Sequence, residues 1–174
     1  MSLFLLQVVL TLSINISQIF SHPYLEVIQH YEGFHPEPYI CPAGKRTIGY
    51  GHVLLEGERY RRISKWQGDL LLTKDAAVAL WNLQDIAPEL FEEDDPNKIV
   101  AVLSFIFNLG EGNFKNSTLL KRIHEKDWDA AADEFLRWNK ATNPRTGEKE
   151  ELAGLTKRRK SEALLFREGK IKVF

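Results

Sequence analysis

Eight residues separate Glu32 from Cys41, and five more separate Cys41 from Thr47, in a stretch that continues to His52. A carboxylic acid able to give up a proton, paired with a group that activates water or stabilises an oxocarbenium-like state, is what cleavage of a glycosidic bond requires. Glu32 offers the acid. It precedes Gly33, and Tyr31, Phe34 and Tyr39 surround it in sequence, which gives it partly desolvated surroundings. By spacing alone a helix-end glutamate is more often a solvated charge. Cys41 is the sole cysteine, so an intramolecular disulfide and a cysteine-based zinc site are both excluded. His52 offers a base, although a histidine closing such a stretch more often serves as a structural hydrogen-bonding group. Glu37, flanked by Pro36 and Pro38, is a poorer second carboxylate because it falls in an exposed turn.

These residues need elements to position them. Tyr24, Leu25, Val27, Ile28 and Tyr31 recur at spacings of three and four, predicting a helix from about Pro23 to Glu32 that ends at Gly33. Pro36 to Gly57 alternates short runs with turn residues, among them Pro42-Ala43-Gly44, and reads as a small antiparallel hairpin region. Ala76, Leu80, Leu83, Ala87 and Leu90 predict a helix from about Lys74 to Leu90 behind a Thr73 cap, bridging two lobes. Asp95-Pro96 marks the start of another, ending at Gly110, whose Ile99, Val102, Leu103, Ile106 and Phe107 should make it the most buried. Shorter helices are expected at about Ser117 to Glu125 and Trp128 to Trp138. A polar loop with Asn143-Pro144 and Thr146-Gly147 follows, then a last helix after Leu155. The spacing of Trp66, Trp81, Trp128 and Trp138 argues for core positions more than for stacking on sugar rings.

The chain's 174 residues fit one domain or two small lobes sharing a core. With 44% hydrophobic and 27% charged residues it reads as an ordinary folded protein. A net charge of -1, from 23 basic and 24 acidic residues, gives no reason to expect nucleic acid as a partner. Acid collects at Glu92, Glu93, Asp94 and Asp95, and base at Lys157, Arg158, Arg159 and Lys160. Both runs read first as solvated helix ends, the basic one alternatively as a surface for an anionic polymer. Residues 1–21 carry no charge and include Leu3, Phe4, Leu5, Leu6, Val8, Val9, Leu10 and Leu12. This segment reads as an export or signal-anchor element ahead of a domain at 22–174. The first basic residue is only Lys45, and Thr11, Ser13, Asn15, Ser17 and Gln18 dilute its second half. An additional helix packed on the domain is the alternative.

Glu32, Cys41 and Thr47 within TIGYGH resemble the signature of glycoside hydrolase family 24, the phage-type lysozymes or endolysins. The resemblance extends in order through PYICPAGKRTIGYGH, SFIFNLGEGNFKNSTLL, FLRW and LAGLTKRRKSEALLF. It implies an α+β, mostly helical, lysozyme-like fold, in which a small lobe with a β-hairpin sheet is joined by a long helix to a helical C-terminal lobe. It further implies hydrolysis of the β-1,4 bond between N-acetylmuramic acid and N-acetylglucosamine in bacterial peptidoglycan, by a monomer with no metal or organic cofactor, at the cell wall, in the periplasm or outside the cell. Transient membrane association through residues 1–21 fits that setting.

By position, the resemblance assigns Glu32 as general acid, puts Cys41 where many members carry Asp, and sets Thr47 beside the attacking water. Substrate contacts fall on the Gly51 backbone, on Val53 where Leu is usual, on Phe107 and on Ser117. Val53 and Phe107 are equally suited to the core, and Ser117 to capping a helix. An arginine near the acid is either Arg158 or Arg159. A thiol with an ordinary pKa of about 8.5 is a poorer proton acceptor than a carboxylate at neutral pH. Cys41 thus leaves three chemistries open: base, nucleophile, or bystander to attack by the substrate's own hydroxyl as in lytic transglycosylases. A catalytically silent wall-binding protein is the rival reading.

Overall fold

A computed structural model describes residues 22–41, 44–93 and 95–174, with side chains from Leu25 onward; the apolar segment 1–21 and the Pro42-Ala43 turn lie outside the described residues. Helix α1 (His22–Glu32) leads into a three-stranded antiparallel sheet of β1 (His35–Ile40), β2 (Arg46–Gly49) and β3 (His52–Val53), in that spatial order. Pro36 and Pro38 lack the N–H that a central strand needs, and β1 accordingly sits at an edge. Ile48, Ile63 and Leu71 form a small core beneath this sheet, joined by Phe34, Leu54 and Tyr60.

Helix α2 (Lys65–Ile86) bridges the lobes, placing Leu71 in the small core and Leu72, Ala76, Leu80 and Leu83 in the large one. It starts well before the expected Lys74. A capping box at Ser64 and Gln67 opens it, whereas the Thr73 hydroxyl donates back to the Asp69 carbonyl inside the helix rather than capping it. It also stops short of Leu90, because Pro88 cannot continue it, and a short α3 (Glu89–Glu92) follows. Gly68 is where α2 meets the small lobe: a Cβ there would lie 2.6 Å from Phe34 Cε2.

The large lobe is built around α4 (Pro96–Leu109), capped by Asp95, with Ile99 through Ile106 all buried. Around it lie α5 (Glu111–Lys115), α6 (Thr118–His124), α7 (Trp128–Phe135) and α8 (Ala153–Glu168), the last packed along α4. The α+β, mostly helical architecture matches the sequence expectation. The expected polar loop is instead organised as a hairpin, β4 (Lys140–Thr142) with β5 (Lys149–Glu151).

Two surface expectations are corrected. Trp66 and Trp81 are 71% and 73% exposed, and with Leu70 and Val78 they leave apolar side chains on the solvent side of α2. Only Trp128 and Trp138 pack against the core. The basic run is not a solvated helix end either: Arg158 and Arg159 are 3% and 0% exposed. Among the described residues, no helix is long and apolar enough to cross a membrane.

Candidate active site

Glu32 is the last residue of α1, where Gly33 turns the chain into β1 with its N–H on the Gln29 carbonyl. Arg158 of α8 donates from Nη1 to Glu32 Oε1 at 2.7 Å. The same guanidinium donates from Nη2 to the Ser104 carbonyl of α4 (2.8 Å) and from Nε to Glu162 Oε1 (3.2 Å), and lies over the Tyr31 ring. Tyr31 Oη in turn bonds Ser161 Oγ at 2.6 Å. The end of α1 is therefore fixed by α4 and α8, and the choice left open in the sequence is settled: Arg158 is the arginine at Glu32. Arg159 lies over the Phe105 ring and pairs with Glu162.

On its other side Glu32 faces the β2–β3 turn. Gly51 has φ of 91°, in the left-handed region that favours glycine, and a Cβ built there would lie 3.6 Å from Glu32 Oε2. From that turn opens a groove of about 320 Å³, lined by Gly51, His52, Val53 and Leu55 of the small lobe and by Asp75, Ala79, Ile106 and Phe107 of α2 and α4. Three residues expected at the substrate, Gly51, Val53 and Phe107, thus converge on one groove between the lobes. Ser117 stands outside this lining. It is buried as the N-cap of α6, accepting from the Leu120 N–H and donating to the Phe114 carbonyl.

Cys41 follows β1, its N–H bonded to the Lys45 carbonyl and its own carbonyl accepting from Gly44. Thr47 on β2 is buried opposite Tyr39 and donates its hydroxyl to the Lys45 carbonyl at 3.1 Å. Tyr39 ties these residues to the acid: burial first, then the negative charges of Glu32 and Cys41, push its phenol above the ordinary value. This electrostatic link is not visible in the sequence, where Tyr39 serves only as an apolar neighbour.

His52 has the structural role expected of it. Nδ1 lies 2.8 Å from Asp75 Oδ2 and Nε2 lies 2.9 Å from Glu58 Oε2. Burial opposes its charge, but the bonds to Glu58 and Asp75 outweigh burial and hold the imidazole above its usual pKa. Glu58 is lowered to about 2, by the Leu55 N–H first and by His52 second. The cluster pins β3 and the groove wall to α2. Glu37 is exposed and paired with Arg62, on the outer strand. No group of three or more histidine, cysteine or acidic side chains among the described residues is placed to hold a metal ion.

Sequence reasoning passed over Ser104 and Glu162, the buried partners of Arg158. The four-residue spacing of Arg158 and Glu162 was the available signal, since such a pair shares one face of a helix.

The chain matches the model of the family described as phage lysozyme over residues 29–162. It is 38% identical over 146 residues to the endolysin of Acyrthosiphon pisum secondary endosymbiont phage 1, spanning 82% of this chain and 93% of that one. Among solved structures, the muramidase domain of SpmX from Asticaccaulis excentricus superposes with a TM-score of 0.73 at 28% identity, covering 85% of this chain and 97% of the other. A point mutant of P22 lysozyme superposes with a TM-score of 0.68 at 28% identity, covering 84% and 96%. A family-model match across most of the chain, together with a 38% identical relative covered over nearly its whole length, makes this protein a member of the phage lysozyme family.

Proposed function

We propose that this phage-type lysozyme hydrolyses the β-1,4 bond between N-acetylmuramic acid and N-acetylglucosamine in bacterial peptidoglycan, with Glu32 as general acid and residues 22–174 as the catalytic domain. The observation that carries the reading is the placement of Glu32 between Arg158, which holds one carboxylate oxygen, and Gly51, which faces the other and lines the inter-lobe groove. A glycan laid along the groove would contact the Gly51 backbone, Val53 and Phe107, with its leaving oxygen at Glu32. Ser117 supports the floor of that lobe by capping α6 and makes no direct substrate contact in this reading.

Proton transfer from Glu32 to the leaving oxygen breaks the glycosidic bond, and water completes hydrolysis at the anomeric carbon. The Thr47 hydroxyl donates to Lys45, so its lone pairs are what remain to orient that water. Cys41 takes the water's proton as thiolate, and the product is the inverted anomer; attack by sulfur itself would give retention. The enzyme acts as a monomer on the wall, and the uncharged segment 1–21 serves its export or a transient membrane association.

Purified protein is incubated with bacterial peptidoglycan beside Glu32→Gln and Cys41→Ser, and the released muropeptides are identified by mass spectrometry. Reducing muramic ends that vanish with Glu32→Gln support the hydrolase. Anhydro ends would move the chemistry to a lytic transglycosylase, and binding without release would make the protein a silent wall-binder.

A further inference from the structure

The acid sits beside two buried arginines, and an acid must hold its proton until it transfers it. Arg158 and Arg159 are 3% and 0% exposed, and the fully buried Glu162 lies between them. Glu162 Oε1 accepts from Ser104 Oγ (2.7 Å), Arg158 Nε (3.2 Å) and Arg159 Nη2 (2.8 Å), while Oε2 lies 2.8 Å from Arg159 Nε. Arg159 Nε and Nη1 and Glu162 Oε2 find no hydrogen-bond partner among the described residues, so Arg159 is held by one hydrogen bond and by its ion pair with Glu162, its counter-charge. We infer that Glu162 is a positioning residue for Glu32: its carboxylate orients the Arg158 fork and takes up one of the two positive charges, so that Glu32 can carry a proton.

The inference rests on the reading of Glu32 as the acid. With Glu162 ionised, a protonated Glu32 leaves one cation uncompensated; with a neutral residue at position 162 it leaves two, and Glu32 is driven to its carboxylate. The charged groups around Glu32 are few. From α8 come Arg158 and Arg159, from β1 Tyr39 with Cys41 beyond it, and across the groove stands the His52, Asp75 and Glu58 cluster of β3, the following loop and α2. Ser104, from α4, is neutral. Burial outweighs the two arginines and Ser104 and holds the Glu162 carboxyl above its ordinary value. Geometry opposes that push: three donors converge on Oε1, and Oε2 stands in ion-pair contact with Arg159 at 2.8 Å, the arrangement of a carboxylate between two guanidiniums.

The test is the pH dependence of kcat on peptidoglycan for the parent protein, Glu162→Gln and Arg159→Met, each assayed well below its unfolding temperature. Glu162→Gln is expected to move the alkaline limb down by about one pH unit, the size of effect that a nearby charge exerts. Arg159→Met, which removes positive charge, is expected to move it up, and Glu162→Asp to restore it. A merely structural role lowers amplitude in both variants and moves neither limb, or moves both the same way; either result overturns the inference. Should Glu162→Gln not fold, carboxyl-carbon NMR of the parent protein decides, because Glu162 must be ionised across the pH range in which the enzyme is active. A protonated Glu162 in that range refutes it. Activity surviving in Glu32→Gln would instead refute the reading of Glu32, and the limb shift in Glu162→Gln would then report on another acid.

Discussion

Replacing Arg158 with Met removes the guanidinium that joins α1, α4 and α8 while keeping the side chain's apolar stem. The lost contacts are the bonds to Glu32, Glu162 and the Ser104 carbonyl. Truncating one partner of a buried ion pair costs about 3–5 kcal/mol, because the other charge is left uncompensated. Here the lower end applies: Glu162 keeps Arg159 and Ser104, and Glu32 is partly exposed and can rehydrate from the groove. For a chain of this size, about 3 kcal/mol lowers Tm by about 6–12 °C. The activity effect should be larger than stability alone explains, since the carboxyl is freed from its fixed position, and a misplacement of about 1 Å can cost about 100-fold. Thermal unfolding followed by circular dichroism, with muropeptide release measured below Tm, checks both. Arg158→Lys should fall between, because it keeps the charge and loses the fork. A Met variant with a Tm within about 2 °C of the parent and full activity would refute the claim that this arginine organises the acid.

Gly51→Ala should destabilise by about 1–2 kcal/mol, the cost of a left-handed backbone for a residue with a Cβ, and should also lower kcat/KM because the new methyl, in van der Waals contact with Glu32 Oε2 at 3.6 Å, shields that oxygen on the groove side; urea unfolding and turnover measured together check this. Gly68→Ala gains about 1 kcal/mol of helix propensity but drives a methyl to 2.6 Å from Phe34 Cε2, an overpacking that costs about 1–3 kcal/mol. The net expectation is a loss that Phe34→Leu partly relieves in the double variant, read from urea midpoints. The His52 cluster sets a pH window. His52 is raised above 6.5, so its contribution is complete below that value and is lost as pH rises through the raised one. Glu58, lowered from 4.5 to about 2, contributes above 4.5 and loses its contribution as pH falls toward 2. Urea midpoints should therefore decline on the alkaline side in the parent protein and flatten there in His52→Gln; parallel profiles would show that the histidine is not coupled to its carboxylates.

The helices that carry the large core were legible because their signals agree. Asp95-Pro96 caps, fixes φ and precedes an apolar face, and α4 begins there and ends at Gly110 as expected. Helix α2 was read too late for a physical reason. Trp66 and Leu70 are apolar yet face solvent, so hydrophobic periodicity, which assumes that apolar means buried, lost the helix's first turns. The Ser64 and Gln67 capping box carried the boundary independently of burial, and Pro88 marked the end. The β4–β5 hairpin was illegible as strand because its residues are mostly charged and exposed on a two-stranded ribbon, where no core enforces alternation.

The site divides along the same line between local and long-range information. Glu32, Gly51 and Val53 lie close together in the chain, and their grouping follows from one helix end and one hairpin. What makes Glu32 a defined acid rather than a loose helix-end charge comes from 126 positions away, in the Arg158 contact. That arginine is buried only because Glu162 and Ser104 solvate it from α8 and α4. A run of four basic residues looks like a solvated surface to any reading of charge alone, since buried arginines are rare without partners and the partners here come from three elements. Alternation along α8 held the answer: Lys157 and Lys160 point outward, while Arg158, Arg159 and Glu162 sit on the inner face with Ala163 and Phe166. A basic residue at a helical core position, with an acid four residues on, marks a buried ion network, and in this chain that network ends on Glu32, the carboxylate that faces Gly51 of the groove.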